Sequence, residues 1–185
     1  VTEAAARTSP GQDDLEAGVR RDLPDRWLAS RFVGDPDVRA DLIALYAFDR
    51  ELARALSATR EPLMAEIRLT WWSETLDEIF GDAAVRRHPV AQALAVAVGR
   101  RGLDRSLLEA LIDGRLAVLN AAPSDPDGVL TNAALTLLGG DPGAPPSKQP
   151  AAAFPAVAHL SLKGKGGGEL ARRLRLLWAV LRGRV

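Results

Sequence analysis

The chain has 185 residues, with 24 Lys+Arg balanced by 24 Asp+Glu, and no cysteine. Zero net charge argues against a general nucleic-acid binder, which needs excess cation to displace counterions. The missing thiols exclude disulfides, thiolate catalysis and cysteine-ligated zinc or iron–sulfur centres, and His88 and His159 are too few for a His-rich metal site.

The length suits one domain with a real core. Ala, Leu, Arg and Glu are good helix formers, so the composition leans towards α. No apolar run reaches the roughly 18–20 residues that a membrane-spanning helix needs. The N-terminus shows no charged start followed by an apolar region, so a cytoplasmic location is the expectation. Residues 1–22 read as a polar arm with one short helix around Asp13–Arg21, and 23–185 as a single helical domain. Asp25 is the expected N-cap of a helix over Arg26–Phe32. Gly34-Asp35-Pro36 is a break, with Pro36 suited to the first turn of the next helix.

From Asp37 to Leu56, Val38, Leu42, Leu45, Phe48, Leu52 and Leu56 form one apolar stripe at helical period, broadened by Ile43 and Tyr46. Glu61-Pro62 opens a helix through Phe80, closed by Gly81 as a C′ glycine. His88-Pro89 opens another to about Val98, and Leu103–Leu119 forms the next. Pro123–Gly128 is turn-rich, and Val129–Leu138 is a short helix. Gly139–Pro150 is too rich in Gly and Pro to be regular. Ala151–Leu162 reads as helical with a break near Pro155, and Glu169–Leu181 as a final helix. No segment alternates as a strand would.

Several motifs have a functional and a plain reading. Lys163-Gly164-Lys165-Gly166-Gly167-Gly168 is a poor phosphate loop, because Glu169 stands where a P-loop needs Lys-Ser/Thr; a linker fits better. The last helix puts Leu170, Leu174, Leu177, Trp178 and Leu181 on one face, flanked by Arg172, Arg173, Arg175, Arg182 and Arg184. That face suits an anionic membrane surface or, more simply, a core. Glu74 and Glu78, one turn apart with Asp77 beside them, could hold Mg²⁺ but more often form a solvated face. Trp71 and Trp72 are core residues that could also line an apolar pocket. His88 is a helix-entry residue.

Asp25-Arg26-Trp27-Leu28-Ala29, Leu45-Tyr46-Ala47-Phe48-Asp49-Arg50, Glu61-Pro62, Ile67-Arg68-Leu69-Thr70-Trp71-Trp72, His88-Pro89-Val90 and Leu111-Ile112-Asp113-Gly114-Arg115 occur in a telling order. With the C-terminal Leu174–Trp178 and Leu181–Arg184, they resemble the squalene/phytoene synthase family. The resemblance is closest to a bacterial branch related to the mitochondrial complex I assembly factor with a phytoene-synthase-like domain. It covers about residues 20–120 well and the last thirty loosely. It implies an all-α, isoprenoid-synthase-type orthogonal helical bundle, whole or incomplete in these residues. Active members join two prenyl diphosphates head to head, using Mg²⁺ on two aspartate-rich helices to carry off the diphosphate.

Matched onto this chain after the Tyr46-to-Arg50 pattern, the first aspartate positions fall on Ala53, Arg54 and Ser57. None is a carboxylate, and Arg54 would repel Mg²⁺. Asp49 and Glu51 flank Arg50 but point about 200° apart on a helix. No Asp-x-x-x-Asp pattern follows Leu138, where Asp141 stands alone. The chain is shorter than usual members, and the joins near Asp127-Gly128 and Gly143–Pro150 read as omitted segments.

The leading expectation is therefore a relative without prenyl-transfer activity, with no catalytic residues and no cofactor. It would bind a prenyl or lipid phosphate through Arg26, Tyr46, Arg50, Arg54 and Trp71, since guanidinium forks suit phosphate oxygens. It could equally serve as an assembly factor, with a protein partner and with its C-terminal helix peripheral to the inner membrane face. The alternatives are an active Mg²⁺-dependent head-to-head prenyltransferase and a ligand-free helical interaction module.

Overall fold

A computed structural model describes residues 10–58 and 61–141. Over these residues the chain is seven helices without a strand: α1 Pro10–Asp22, α2 Pro24–Ser30, α3 Pro36–Ser57, α4 Pro62–Phe80, α5 Pro89–Arg101, α6 Arg105–Leu119 and α7 Pro126–Leu137. The all-α expectation is met.

Proline sets most of the helix starts. Pro24, Pro36, Pro62, Pro89 and Pro126 each occupy the first turn of their helix, where the missing N–H has no intrahelical partner to lose. For α2 this moves the start forward. Pro24 opens the helix, Leu23 is the N-cap, and Asp25 lies in the first turn rather than capping it. Asp35 does cap α3, its carboxylate accepting from the N–H of Asp37 (2.8 Å) and Val38 (3.2 Å). His88 and Glu61 stand at the N-caps of α5 and α4 without a side-chain bond.

Helix α3 is the hub. Residues 41–50 are all buried, and α3 packs against each of the other six helices. Leu42, Leu45, Phe48 and Leu52 are fully buried, and each such side chain contributes roughly 1.5–3 kcal/mol. The core continues through Trp72, Leu76, Leu94, Leu111 and Leu130 of the surrounding helices.

Four expectations shift. From Pro10 on, the supposed polar arm is a helix packed on α3, burying Leu15 and Val19. Gly81 does close α4, but in extended backbone (φ −100°, ψ −169°); the left-handed C-cap belongs to Gly102, at φ 61° after α5. Leu103 is a buried loop residue ahead of the N-cap Asp104. Finally, Asp127-Gly128 is no break. It lies in the first turn of α7, where the Asp125 carboxylate accepts from the Gly128 N–H at 3.0 Å.

Among the described residues no helix is long and apolar enough to cross a membrane. The expected helices over 151–162 and 169–181, the Lys163–Gly168 loop, and Arg172, Arg173 and Arg175 lie outside the described residues.

Candidate functional site

The five residues expected to bind ligand divide into three neighbourhoods around α3. Tyr46, Arg50 and Arg54 follow one face of this helix at i, i+4 and i+8, with Asp49 to one side, so they meet different neighbours along its length.

Arg26 and Tyr46 belong to an interior ion network. Arg26 on α2 is buried, donates from Nη2 to Asp127 Oδ1 of α7 at 2.9 Å, and lies 5.6 Å from the Tyr46 ring centroid. Burial lowers the Arg26 pKa below the usual guanidinium value. Burial also pushes the Tyr46 hydroxyl up to about 12, against the opposing pull of Arg26. Asp49, one turn along α3, accepts from Arg115 Nη2 of α6 at 2.6 Å. Two cations and two carboxylates thus neutralise one another where α2, α3, α6 and α7 meet, and buried charges persist only with such partners. This network joins helices; it is not an open anion site.

Arg50 faces α1. Its Nε lies 2.9 Å from Asp22 Oδ2 and its Nη2 3.3 Å from Glu51 Oε1. The guanidinium lies over Gly18, and Arg50 is a strut between α1 and α3.

Arg54 and Trp71 line an open cavity of about 300 Å³ between α3, α4 and the start of α5. Buried Ala55 and exposed Ala58 supply its small apolar lining. Trp71 and Trp72 form an aromatic wall, their rings 4.9 Å apart at 86°, and Phe48 backs Trp72 at 5.2 Å. His88 sits edge-on to both indoles, at 5.4 and 5.2 Å. Glu51, Arg54, Arg68 and His88 supply the polar lining. Glu51 is held by Arg50 and lies 3.6 Å from Arg54. Arg68 makes no ion pair among the described residues and is exposed. Burial lowers the His88 pKa, aided by Arg86 and opposed by Glu51, so the imidazole is neutral near pH 7. Its Nδ1 is buried without a hydrogen-bond partner among the described residues.

The acidic cluster on α4 has another task. Glu78 binds Arg86 through both oxygens, at 2.6 and 2.9 Å, and also accepts from the Arg86 backbone N–H; Glu74 stands 3.8 Å from the same guanidinium. Arg86 lies 4.4 Å over the Trp71 ring. Glu74 and Glu78 therefore form neither a metal site nor a merely solvated face: they hold Arg86 against the outer side of the aromatic wall.

Magnesium does not fit this cavity. Glu51 is its only carboxylate and is already engaged by two arginines. Asp49 is turned to Arg115. Among the described residues no group of three or more His, Cys, Asp or Glu could hold a metal ion. Outside the described residues this sequence adds just two carboxylate side chains, Glu3 and Glu169. The 200° separation of Asp49 and Glu51 is realised, since one meets α6 and the other meets Arg50 and Arg54.

Of the expected binding residues, the structure brings together Arg54 and Trp71 and separates Arg26, Tyr46 and Arg50 from them. Arg68 and His88 were missed as lining residues. The available signal was spacing: Arg68 precedes Trp71 and Trp72 by about one helical turn, which puts a cation beside the indoles.

The family model for squalene/phytoene synthase matches residues 19–136. NADH dehydrogenase (ubiquinone) complex I, assembly factor 6, of Bos taurus is 35% identical over 77 residues, which is 42% of this chain and 23% of the relative. The Drosophila melanogaster homolog of that factor is 32% identical over 84 residues, 43% of this chain and 25% of the relative. The matches thus span about a quarter of the length of these relatives. No solved structure matches the chain.

Proposed function

The chain belongs to the squalene/phytoene synthase family, and from that premise we infer that it is a member without prenyl-transfer activity that works by binding. The observation that carries this is the cavity at the first aspartate position. Arg54 occupies it, Arg68 stands opposite on α4, and Trp71 and Trp72 form the wall. A leaving diphosphate needs a divalent cation to stabilise its developing charge, and this lining offers guanidinium instead. Guanidinium groups bind phosphate oxygens directly, and the indoles suit an apolar chain. The ligand this favours is a prenyl or lipid phosphate, bound without metal.

Its role follows from its relatives. Both curated relatives are named as complex I assembly factors, which supports a task in assembling that complex with a protein partner rather than in isoprenoid synthesis. Among the described residues the cavity offers the active prenyltransferase reading a single carboxylate, Glu51.

Binding is testable through the indoles. Farnesyl diphosphate in EDTA should change tryptophan emission saturably, and Arg54→Ala/Arg68→Ala should weaken binding by at least about tenfold, since each charge-assisted bond is worth roughly 1.5–3 kcal/mol. Arg26→Lys and Arg50→Lys should leave the affinity unchanged. No saturable change and no thermal shift at millimolar ligand would remove the ligand and favour a purely protein-binding module.

A further inference from the structure

Helix α4 has two apolar faces, and the fold uses one. Ala65, Leu69, Trp72 and Leu76 face the core. On the other side Leu63, Ile67 and Trp71 stand at i, i+4 and i+8, with Met64 beside them. Leu63 is 65% exposed, Ile67 52% and Met64 40%. Elsewhere the large exposed apolar residues, Leu28, Val96 and Val118, occur one to a helix. Three clustered on the first two turns of one helix mark an uncovered surface.

We propose that this α4 stripe is the docking surface for the chain's own segment 169–181, packed through Leu170, Leu174, Leu177, Trp178 and Leu181. Three features favour this occupant. The apolar spacing of the segment is helical and one-sided, so it has a stripe to bury. Charge is complementary. At about 100° per residue, Glu66 borders the α4 stripe about 60° from Leu63. The segment carries Arg172, Arg173 and Arg175 against the single acid Glu169, with Arg173 about 60° from Leu170. Arg68 lies on the opposite flank and lines the cavity, and Arg86 stacks over Trp71 at the far end of the stripe, where Glu74 and Glu78 already engage it. Reach is ample as well. The 27 residues 142–168 join Asp141 to the segment, and at most ~3.3–3.6 Å each they exceed the roughly 28 Å length of α4 at 1.5 Å per residue. The inference goes beyond the ligand reading and holds whatever the cavity binds.

The absence of native cysteine makes a direct test clean. Ile67→Cys/Leu174→Cys is compared under mild oxidation with Leu28→Cys/Leu174→Cys. Leu28 is also exposed, on α2, which packs on α1 and α3. The expected result is an intramolecular disulfide at least tenfold faster for the Ile67 pair, with the advantage reduced when Glu66→Lys is added. Equal rates for the two pairs overturn the proposal, and if the segment then takes the chain onto anionic phospholipid vesicles, its partner is a lipid surface. A disulfide between two chains overturns it in favour of a second copy. Circular dichroism of each reduced variant establishes that the helices are intact before the rates are compared.

Discussion

The side chains of α3 tie it to the helices around it. Asp49 is 2% exposed and accepts from Arg115 at 2.6 Å. Removing one partner of such a pair strands a buried charge, so Asp49→Ala should destabilise the fold by about 3–5 kcal/mol. The double variant Asp49→Leu/Arg115→Leu should recover much of that loss in urea unfolding. His88 gives a separate pH signature. Its folded pKa lies below its ordinary 6.5 because burial disfavours the imidazolium. The unfolded chain therefore takes up the proton first as pH falls. The contribution is present above pH 6.5 and is lost as pH drops through the lower folded value. Melting temperature should decline between pH 7 and the onset of carboxylate titration, and His88→Gln should flatten that decline. An unchanged slope in the variant would show that the imidazole does not cause it.

At the scale of elements, helix existence was legible because proline and periodicity agreed. Pro36, Pro62 and Pro89 each start a helix where the apolar repeat begins. Cap geometry was less legible, since a glycine after a helix does not declare its φ. Gly81 and Gly102 occupy the same kind of sequence position, yet only Gly102 is left-handed. The two should answer substitution differently. Asn tolerates the left-handed region, so Gly102→Asn should cost less than Gly102→Ala, whose strain is roughly 1–2 kcal/mol. At Gly81 the obstacle is contact, because a Cβ would sit 2.7 Å from the Asp77 carbonyl oxygen. Asn and Ala should there be equally costly in thermal unfolding. Helix α1 was underread for a related reason. Its buried residues, Leu15 and Val19, are too few to lift a charged stretch above its polar average.

Among the described residues α3 lies at the centre, with a cavity at its C-terminal end lined by Ala55, Ala58 and two indoles. Sequence pattern identified the helices, and the family-like stretch put Ala53, Arg54 and Ser57 at the first aspartate positions. It grouped Arg26, Tyr46, Arg50, Arg54 and Trp71 into one site because all lie in family-like stretches. Their separation became visible only once partners were known: Asp127 draws Arg26 to α7, and Asp22 draws Arg50 to α1. Ion pairs between helices distant in sequence leave no periodic trace. Packing around α3 should also dominate stability, and Leu45→Ala, at a position wholly shielded from solvent, should lose about 2–5 kcal/mol.

The claim that this cavity binds without turning over is tested most directly by diphosphate release. The full chain is incubated with farnesyl or geranylgeranyl diphosphate, with and without Mg²⁺. The account predicts release indistinguishable from buffer under both conditions. Mg²⁺-dependent release that disappears in Arg54→Ala/Arg68→Ala would contradict it.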